Sequence, residues 1–378
     1  MEVKPDIETY AKIKVVGIGG AGNSVVNRMI ESGVKGVEFI AINTDAQALH
    51  HSLASKKIHI GQNATRGLGA GMDPDIGRQA AEEDLESVEQ SLKGADMIFI
   101  TCGMGGGTGS GASPVVAEVA RRVGALTVAM VTTPFSFEGA QRSDIAKRSR
   151  KELSEQVDTI ISVPNDRLLK VIDKKMSLID SFKVVDEVLK QGVQGISEII
   201  TVPGLINVDF ADVRAIMQEA GTALMGIGEA EGEDRAVVAA KQAIDSPLLD
   251  MTIDGAKGVL FIVSGPEDMT MNEVNDAART VTASADSNAK VIFGTLIDEK
   301  HGDSVKVTVI ATGFGEGGSK RVHRTDMEDV MSDDVFSGAS KPADRQIFEE
   351  PNVKEDVSPK DQDELDIPAF IRKKMKKK

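Results

Sequence analysis

Short runs of β-branched and aliphatic residues alternate with helix-periodic segments through the first half of this chain. The helical patterns lie near 20–32, 73–92, 110–122 and 138–155. The strand candidates are IKVVGIG (13–19), VEFIAIN (37–43), KIHIG (57–61), ADMIFITC (95–102), LTVAMVT (126–132) and VDTIISV (157–163). This alternation predicts an α/β fold, a mostly parallel, Rossmann-like sheet with helices on both faces. Such sheets bind ligands at the carboxyl ends of their strands.

A single apolar face runs along residues 178–201 and predicts one long central helix that ends before Pro203. A helix of this length can join two domains and bury its apolar face against both. The apolar positions recur every three or four residues, at Leu178, Phe182, Val185, Leu189, Val193, Ile196 and Ile200.

The pattern changes after about residue 220 and predicts a smaller α+β domain. Helices are expected at 234–245 and 271–284. Strands are expected at 222–228, 258–264, 290–298 and 304–312. From about Gly315 the chain is poor in large apolar residues, so we expect disorder up to a short terminal motif. The predicted divisions are 1–177, 178–203, 204–315, 316–365 and 366–378.

Composition excludes several classes of protein. The net charge is −15. Binding to nucleic acid requires clustered Lys and Arg that contact the phosphates, so no nucleic-acid partner is expected. One cysteine excludes an internal disulfide and fits a reducing cytosol. No Cys/His group has metal-ligand spacing, so no protein-held metal is expected. No signal peptide and no run of about 18 apolar residues is found, so no membrane span is expected.

The first glycine-rich turn, GIGGAGNS, places Gly17, Gly19 and Gly22 in the pattern G-x-G-x-x-G between a strand and a helix. Alone, this match is weak. It fits a tight strand-to-helix turn without any ligand. It also fits the dinucleotide fingerprint of an NAD-dependent oxidoreductase, with Asp45 as the acid that follows.

The second turn, CGMGGGTGSGAS (102–113), carries five glycines between 105 and 111. It resembles a Walker phosphate loop, but Ala112 stands where the lysine belongs. Glycine lets backbone N–H groups converge on an anion, and the following helix adds its N-terminal dipole. A nucleophile elbow is excluded because Ser110 lacks flanking glycines at the required spacing. Cys102 has no nearby histidine and is read as a small core residue.

The segment NVDFADVR (207–214) supplies two acids, Asp209 and Asp212, at the start of a predicted helix. Their spacing of three lets them share one face of that helix. The local interpretation is structural, with Asp209 as N-cap and Asp212 as a first-turn acid.

Seven segments in order form a further pattern: GGAGNSVVNRM (19–29), INTDAQAL (42–49), GGGTGSG (105–111), TTPFSFEG (132–139), VPNDRLL (163–169), NVDFADVR (207–214) and the terminal DIPAFIRKK. These segments resemble the tubulin/FtsZ family, and within it bacterial FtsZ, the cell-division GTPase that forms filaments. The similarity covers about residues 11–315 and then the last dozen.

The resemblance implies that 1–177 is a GTP-binding domain whose site holds GTP or GDP, with Mg²⁺ carried by the nucleotide. The first phosphate loop would comprise Gly20, Ala21, Gly22, Asn23 and Ser24. The second would comprise Gly105, Gly106, Gly107, Thr108 and Gly109. Other nucleotide contacts would come from Thr132, Thr133, Pro134, Glu138 and Arg142, and base contacts from Asn165, Phe182 and Asp186.

The base contacts make chemical sense, because guanine offers N1–H and a 2-amino group on one edge and an ionised Asp186 accepts both. Phe182 lies four residues earlier, so its ring can approach the same ligand. Two alternatives stay open: Phe182 also fits the apolar face of the long helix, and Asp186 also fits a solvated helix charge.

The resemblance also implies that Asp209, Asp212 and Asn207 act in the nucleotide site of the next subunit. A head-to-tail contact of this kind does not close, and it generates filaments. The remaining alternative is a nucleotide-gated binding module that neither polymerises nor hydrolyses GTP.

The tail motif is expected to dock onto division proteins that tether filaments to the membrane, through Ile367, Pro368, Phe370 and Ile371. The expected location is the cytoplasmic division site, in a ring at mid-cell.

Overall fold

The first six strands run parallel, because after each strand a crossover segment returns the chain to the end of the sheet at which that strand began. In this computed structural model the described residues are 11–169, 176–202, 204–206, 208–246, 249, 252–298 and 302–314. The strands are β1 Ile13–Ile18, β2 Val37–Asn43, β3 Lys56–His59, β4 Met97–Gly103, β5 Leu126–Thr133, β6 Thr159–Pro164, β7 Gly221–Ala230, β8 Gly258–Gly265, β9 Lys290–Ile297 and β10 Val305–Thr312.

The helices cover both faces of the sheet. They are α1 Gly19–Glu31, α2 Ala46–His50, α3 Gln62–Thr65, α4 Pro74–Glu83, α5 Leu85–Leu92, α6 Thr108–Arg122, α7 Ala140–Ser154, α8 Asn165–Leu168, α9 Leu178–Thr201, α10 Phe210–Met217, α11 Arg235–Ile244 and α12 Met271–Thr282. A 3₁₀ turn, Ser136–Glu138, precedes α7.

The strand order is β3-β2-β1-β4-β5-β6-β7-β10-β8-β9. The start of β7 pairs parallel with β6, and the rest of β7 pairs antiparallel with β10. The sheet of the first half therefore continues into the smaller sheet of β7 to β10. β1 lies between β2 and β4, so the loops that follow β1 and β4 emerge side by side.

The long helix α9 packs against strands of both halves, as its apolar pattern predicts. Val193 and Ile196 are buried in one cluster with Met130 of β5 and with Ile262 and Ile310 of β8 and β10. A second cluster fills the opposite face, under α4 to α7, and a third lies under α11 and α12. The buried face of α9 therefore links the two halves of the sheet.

The predicted helix over 73–92 is wrong in one respect, since two helices meet at Asp84. The Asp84 carboxylate accepts a hydrogen bond from the Gly61 N–H at 2.8 Å, and its backbone leaves helical geometry at φ −114° and ψ 23°. The short helices α2, α3 and α8 were not predicted, because four or five residues carry too little periodicity.

The described residues belong to one unit, Met1–His323. The domain boundaries drawn from the sequence stay predictions. The linker 316–365 and the tail motif 366–378 lie outside the described residues.

Glycine sets the distance between α4 and α6. A Cβ on Gly111 would lie 1.9 Å from the Pro74 carbonyl oxygen and 2.7 Å from the Arg78 nitrogen. A Cβ on Gly77 would lie 2.4 Å from the Gly107 carbonyl oxygen. The first turn of α6, which carries the second glycine loop, is therefore held by backbone contact with α4.

We predict that Gly111→Ala destabilises the protein by about 1–3 kcal/mol, because overpacked backbone contacts force helices apart. Gly195→Ala in α9 is the matched control. Its Cβ would meet Ile262 and Thr308 at ordinary distances of 3.5 and 3.6 Å, so it gains helix propensity of roughly 0.5–1 kcal/mol. Urea unfolding measures both, and equal effects of the two substitutions would contradict the prediction.

Candidate functional site

A pocket of about 520 Å³ opens at the carboxyl ends of β1, β4, β5 and β6. The structure thus brings most of the predicted residues to one place. Those that line the pocket are Gly20, Ala21, Ser24, Gly106, Gly107, Thr108, Gly109, Thr132, Pro134, Glu138, Arg142, Asn165, Phe182 and Asp186.

Four of the predicted nucleotide contacts, Gly22, Asn23, Gly105 and Thr133, do not line the pocket. A Cβ on Gly22 would lie 2.3 Å from the Thr101 carbonyl oxygen, so this glycine lets α1 approach the sheet. Gly105 has φ +100°, and its N–H donates to Ser110 Oγ at 2.9 Å, which fixes the second loop. Asn23 is buried, and both polar atoms of its side chain lack a partner.

The glycines of the second loop do not all have the same task. Gly106 has open space around it, and it lines the pocket. A Cβ on Gly107 would lie 2.8 Å from Ala70 Cβ, and one on Gly109 would lie 2.7 Å from the Gly103 carbonyl oxygen. One glycine therefore leaves room at the pocket, and the others allow close packing around it.

Two helix N-termini meet at the pocket. Gly19, at φ +71°, begins α1, and a Cβ on it would lie 3.0 Å from the Gly109 nitrogen of α6. Neither helix has a side-chain N-cap or an acidic residue in its first turn. In contrast, Asp73 caps α4 and Asp209 caps α10. The first turns of α1 and α6 thus present unsatisfied N–H groups and positive dipole ends, which suit an anion.

Among the described residues that line the pocket, Arg142 is the one cation. Its guanidinium lies 2.5 Å from the Glu138 carboxylate, one helical turn away. Glu138 also accepts the Phe135 N–H at 2.9 Å. Arg142 is therefore held at the rim, and backbone groups carry most of the positive potential deeper in the pocket.

The opposite end of the pocket is aromatic and acidic. Phe182 is 44% exposed and meets the buried Phe135 edge-on at 5.7 Å, so it is not merely part of the apolar face of α9. Burial raises the pKa of Asp186 to about 6, although the Arg28 charge lowers it in part. The Oδ1 atom of buried Asn165 has no partner. The Asp186 carboxylate and the Asn165 amide can therefore form hydrogen bonds with a ligand in the pocket.

The third wall of the pocket was missed by sequence reasoning. It is the loop of Ala70, Gly71 and Met72. Gly71 and Met72 both have positive φ, at +56° and +66°. A signal was present in the glycine-rich RGLGAGMDP (66–74). Thr44 was also missed, and its hydroxyl lies 2.6 Å from that of Thr108 at the start of α6.

Asp209 and Asp212 lie away from the pocket, and both are exposed. Asp209 accepts the Asp212 N–H at 2.8 Å, so the predicted N-cap is confirmed. The helix α9 begins beside the pocket and ends at Thr201, which would contact a Cβ on Gly36 just before β2. At 1.5 Å per residue its 24 residues span about 36 Å. The two acids therefore follow the end of α9 that is remote from the pocket.

Asn207 lies outside the described residues, as do Ile367, Pro368, Phe370 and Ile371. Their expected roles stay predictions.

The structure gives little support to a thiol nucleophile or to a dinucleotide site. Burial raises the pKa of the Cys102 thiol to about 12, which suits a core residue and not a nucleophile. Asp45, the acid expected for a dinucleotide, accepts the Gln47 and Ala48 N–H groups as the N-cap of α2. Within the described ranges no three His, Cys, Asp or Glu side chains are grouped to hold a metal. No helix of that part is both long and apolar enough to cross a bilayer.

Two family models match the chain. The GTPase domain of the Tubulin/FtsZ family matches residues 12–173, and the C-terminal domain of the FtsZ family matches residues 221–315. The first match contains both glycine loops, and the second contains all four strands of the smaller sheet, β7 to β10.

Solved structures show the same likeness. An empty FtsZ dimer from M. jannaschii is 48% identical, with 82% of this chain and 90% of that chain covered and a TM-score of 0.79. A point mutant of M. jannaschii FtsZ is 49% identical, with 81% and 92% covered and a TM-score of 0.78. CetZ2 from Haloferax volcanii, in a GTPγS-bound protofilament, is 23% identical with 79% and 92% covered; its TM-score of 0.69 supports the fold alone.

M. jannaschii is an archaeon, so a bacterial source stays a prediction from the sequence. The family does not depend on that source, because two domain models and FtsZ structures of nearly half identical sequence agree over most of the chain. The chain therefore belongs to the FtsZ family of tubulin-like GTPases.

Proposed function

We propose that this protein binds GTP in the pocket between α1, α6 and α9, hydrolyses it at contacts between subunits, and polymerises head-to-tail. The observation that carries the proposal is the pair of uncapped helix N-termini at one end of the pocket, with a desolvated carboxylate at the other. The first suits a polyphosphate, and the second suits a base edge that presents two donors.

In this proposal the Asp186 carboxylate accepts the N1–H and 2-amino hydrogens of guanine. Phe182 stacks on the base, and Asn165 offers its unpartnered Oδ1 as a further acceptor. Adenine lacks the paired donors, so it would leave the partly desolvated Asp186 carboxylate unpaired, which is costly.

The phosphates lie against the first turns of α1 and α6. Each charge–dipole interaction contributes about 0.3–1 kcal/mol, up to about 2 kcal/mol where partly buried. Two such ends and several backbone N–H groups take the place of the Walker lysine. Mg²⁺ arrives with the nucleotide and neutralises phosphate charge. Ser24, Thr108 and Thr132 line the pocket with hydroxyl groups, and Thr44 contacts the Thr108 hydroxyl. The described carboxylates form no metal cage of their own.

Hydrolysis requires a positioned water that attacks the γ-phosphorus while the bond to the β–γ bridging oxygen breaks. The carboxylates that line the pocket are Glu138, which pairs with Arg142, and Asp186, at the base end. The acids that orient the water are proposed to be Asp209 and Asp212 of the next subunit, with Asn207 beside them. One carboxylate oxygen of Asp209 caps α10 by accepting the Asp212 N–H. The Asp212 carboxylate makes no such capping contact and is the better candidate to orient the water.

Contacts that join opposite poles of a subunit are heterologous and build an open filament. We propose that such filaments form the ring at the cytoplasmic face of the division site. Membrane-tethering and regulatory division proteins would bind them through Ile367, Pro368, Phe370 and Ile371.

We predict that GTP with Mg²⁺ raises right-angle light scattering and that GDP does not. Phosphate release per subunit should rise with protein concentration, because the site is complete only between subunits. A non-hydrolysing binding module would release no phosphate, and turnover that is independent of concentration would contradict the shared site.

The shared site can be tested by mixing two inactive variants. Asp212→Ala keeps an intact pocket and should bind GTP but lose most turnover. Asp186→Ala keeps an intact α10 but should bind GTP poorly. Mixed contacts in which an Asp186→Ala subunit supplies Asp212 to an Asp212→Ala pocket should regain phosphate release. A mixture no more active than its components would place Asp212 outside the neighbour's site.

We predict that GTP affinity falls as the pH drops through about 6. The pKa of Asp186 is raised, so its carboxylate is ionised at pH 7 and mostly protonated at pH 5. The terminal phosphate titrates in the same range. We therefore compare wild type with Asp186→Asn, because the titration of the phosphate affects both proteins equally. The wild-type advantage in Kd should shrink about tenfold between pH 7 and pH 5. A constant advantage would show that the ionised carboxylate does not bind guanine.

The sign for stability is opposite. A carboxyl group whose pKa is higher in the folded state than in the unfolded state favours folding when protonated. The contribution of Asp186 to the free energy of unfolding of the nucleotide-free protein should therefore rise as the pH falls from about 6 toward 4.

Deletion of residues 366–378 should leave GTP-dependent light scattering unchanged and remove co-sedimentation of tethering proteins with the filaments. The reason is that the docking motif lies some fifty residues beyond the family's C-terminal domain match, which ends at 315. Unchanged co-sedimentation would show that partners bind elsewhere.

A further inference from the structure

Asp166, in the first turn of α8, makes a two-point contact with the 3₁₀ turn Ser136–Glu138. Its Oδ1 atom accepts the Ser136 N–H at 2.8 Å, and its Oδ2 atom accepts the Ser136 hydroxyl. Hydrogen bonds to an ionised carboxylate are among the stronger ones in proteins. The contact therefore joins two segments that follow different strands, β5 and β6.

Each of these segments forms part of the base end of the pocket. On one side, Asn165 immediately precedes Asp166, lines the pocket and has a buried Oδ1 atom without a hydrogen-bond partner. On the other side, Phe135 immediately precedes Ser136. Phe135 stacks on Phe137 at 4.9 Å and supports Phe182 edge-on at 5.7 Å.

The same turn also sets the rim of the pocket. The Phe135 N–H donates to Glu138, and Glu138 holds Arg142. A shift of the turn would move the support of Phe182 and the Glu138–Arg142 pair together. The α8 helix is only four residues long, so its own hydrogen bonds give Asn165 little support.

We propose that Asp166 is a positioning residue for guanine recognition, which acts by fixing Phe135, on which Phe182 packs, relative to Asn165. It does not touch the base itself. This inference rests on the proposed function, because it assumes that the base lies between Phe182, Asn165 and Asp186.

A carboxylate at the other end of β6 provides a matched control. Asp158 precedes β6, as Asp166 follows it, and it also accepts two hydrogen bonds, from Thr127 N–H at 2.9 Å and Glu219 N–H at 3.3 Å. It lies at the amino end of the strand, away from the pocket. Loss of Asp158 should disturb stability without reaching the base.

The experiment measures Kd for GTP and for ITP, which lacks the 2-amino group, together with Tm without nucleotide. Asp166→Ala should raise the Kd for GTP at least tenfold and reduce the preference for GTP over ITP. Ser136→Ala should act in the same direction but less, since its backbone N–H remains. The double variant should be no worse than Asp166→Ala alone. Asp166→Asn should recover part of the affinity, and Asp158→Ala should lower Tm at unchanged Kd.

An Asp166→Ala protein with wild-type Kd values and a lower Tm would overturn the inference, since the contact would then be structural only. A raised Kd with an unchanged preference for GTP over ITP would also overturn it. Additive effects of Asp166→Ala and Ser136→Ala would show that the pair does not act as a unit. If wild type itself fails to bind GTP, the proposed function fails and the inference fails with it, whereas a failure confined to the variants overturns the inference alone.

Discussion

The candidate site depends on the contact between the first turns of α1 and α6. Gly19 and Gly109 allow these two helix N-termini to lie almost in van der Waals contact. Each end carries roughly half a positive charge, so the two ends repel each other. The apolar clusters on both faces of the sheet hold them in place despite this repulsion. An anion between them would relieve this repulsion, so a phosphate site of the proposed kind would not need a lysine.

Much of this arrangement was predictable because it is written in local patterns. Strand and helix alternation indicates the order of elements, and parallel pairing brings the loops after β1 and β4 to one edge. The length of α9 was also predictable from its apolar face. The sequence could not predict which glycines lie close to backbone atoms of other elements. Whether Gly106 lines the pocket and Gly111 packs on Pro74 depends on tertiary contacts, and the two residues look alike in sequence.

The same limit applies to the side chains at the base end. The spacing of Phe182 fits the apolar face of α9 as well as it fits a pocket, and only its exposure separates the two. Asp209 shows the reverse case, because its local interpretation as an N-cap is confirmed and leaves one carboxylate oxygen for other work. The wall of Ala70, Gly71 and Met72 was missed although its segment is glycine-rich, because glycine content predicts a turn but not that the turn borders a pocket.

The burial of Asp186 means that the nucleotide-free pocket holds a carboxylate in an unfavourable environment. The continuous helix α9 separates that pocket from the acids of α10 by its whole length. In a filament of such subunits the two ends would be chemically different. One end would present a filled pocket without the Asp209 and Asp212 of a neighbouring subunit, open to nucleotide exchange but slow in hydrolysis. The other end would present acids that face no phosphate, so growth there would depend on the nucleotide carried by the arriving subunit.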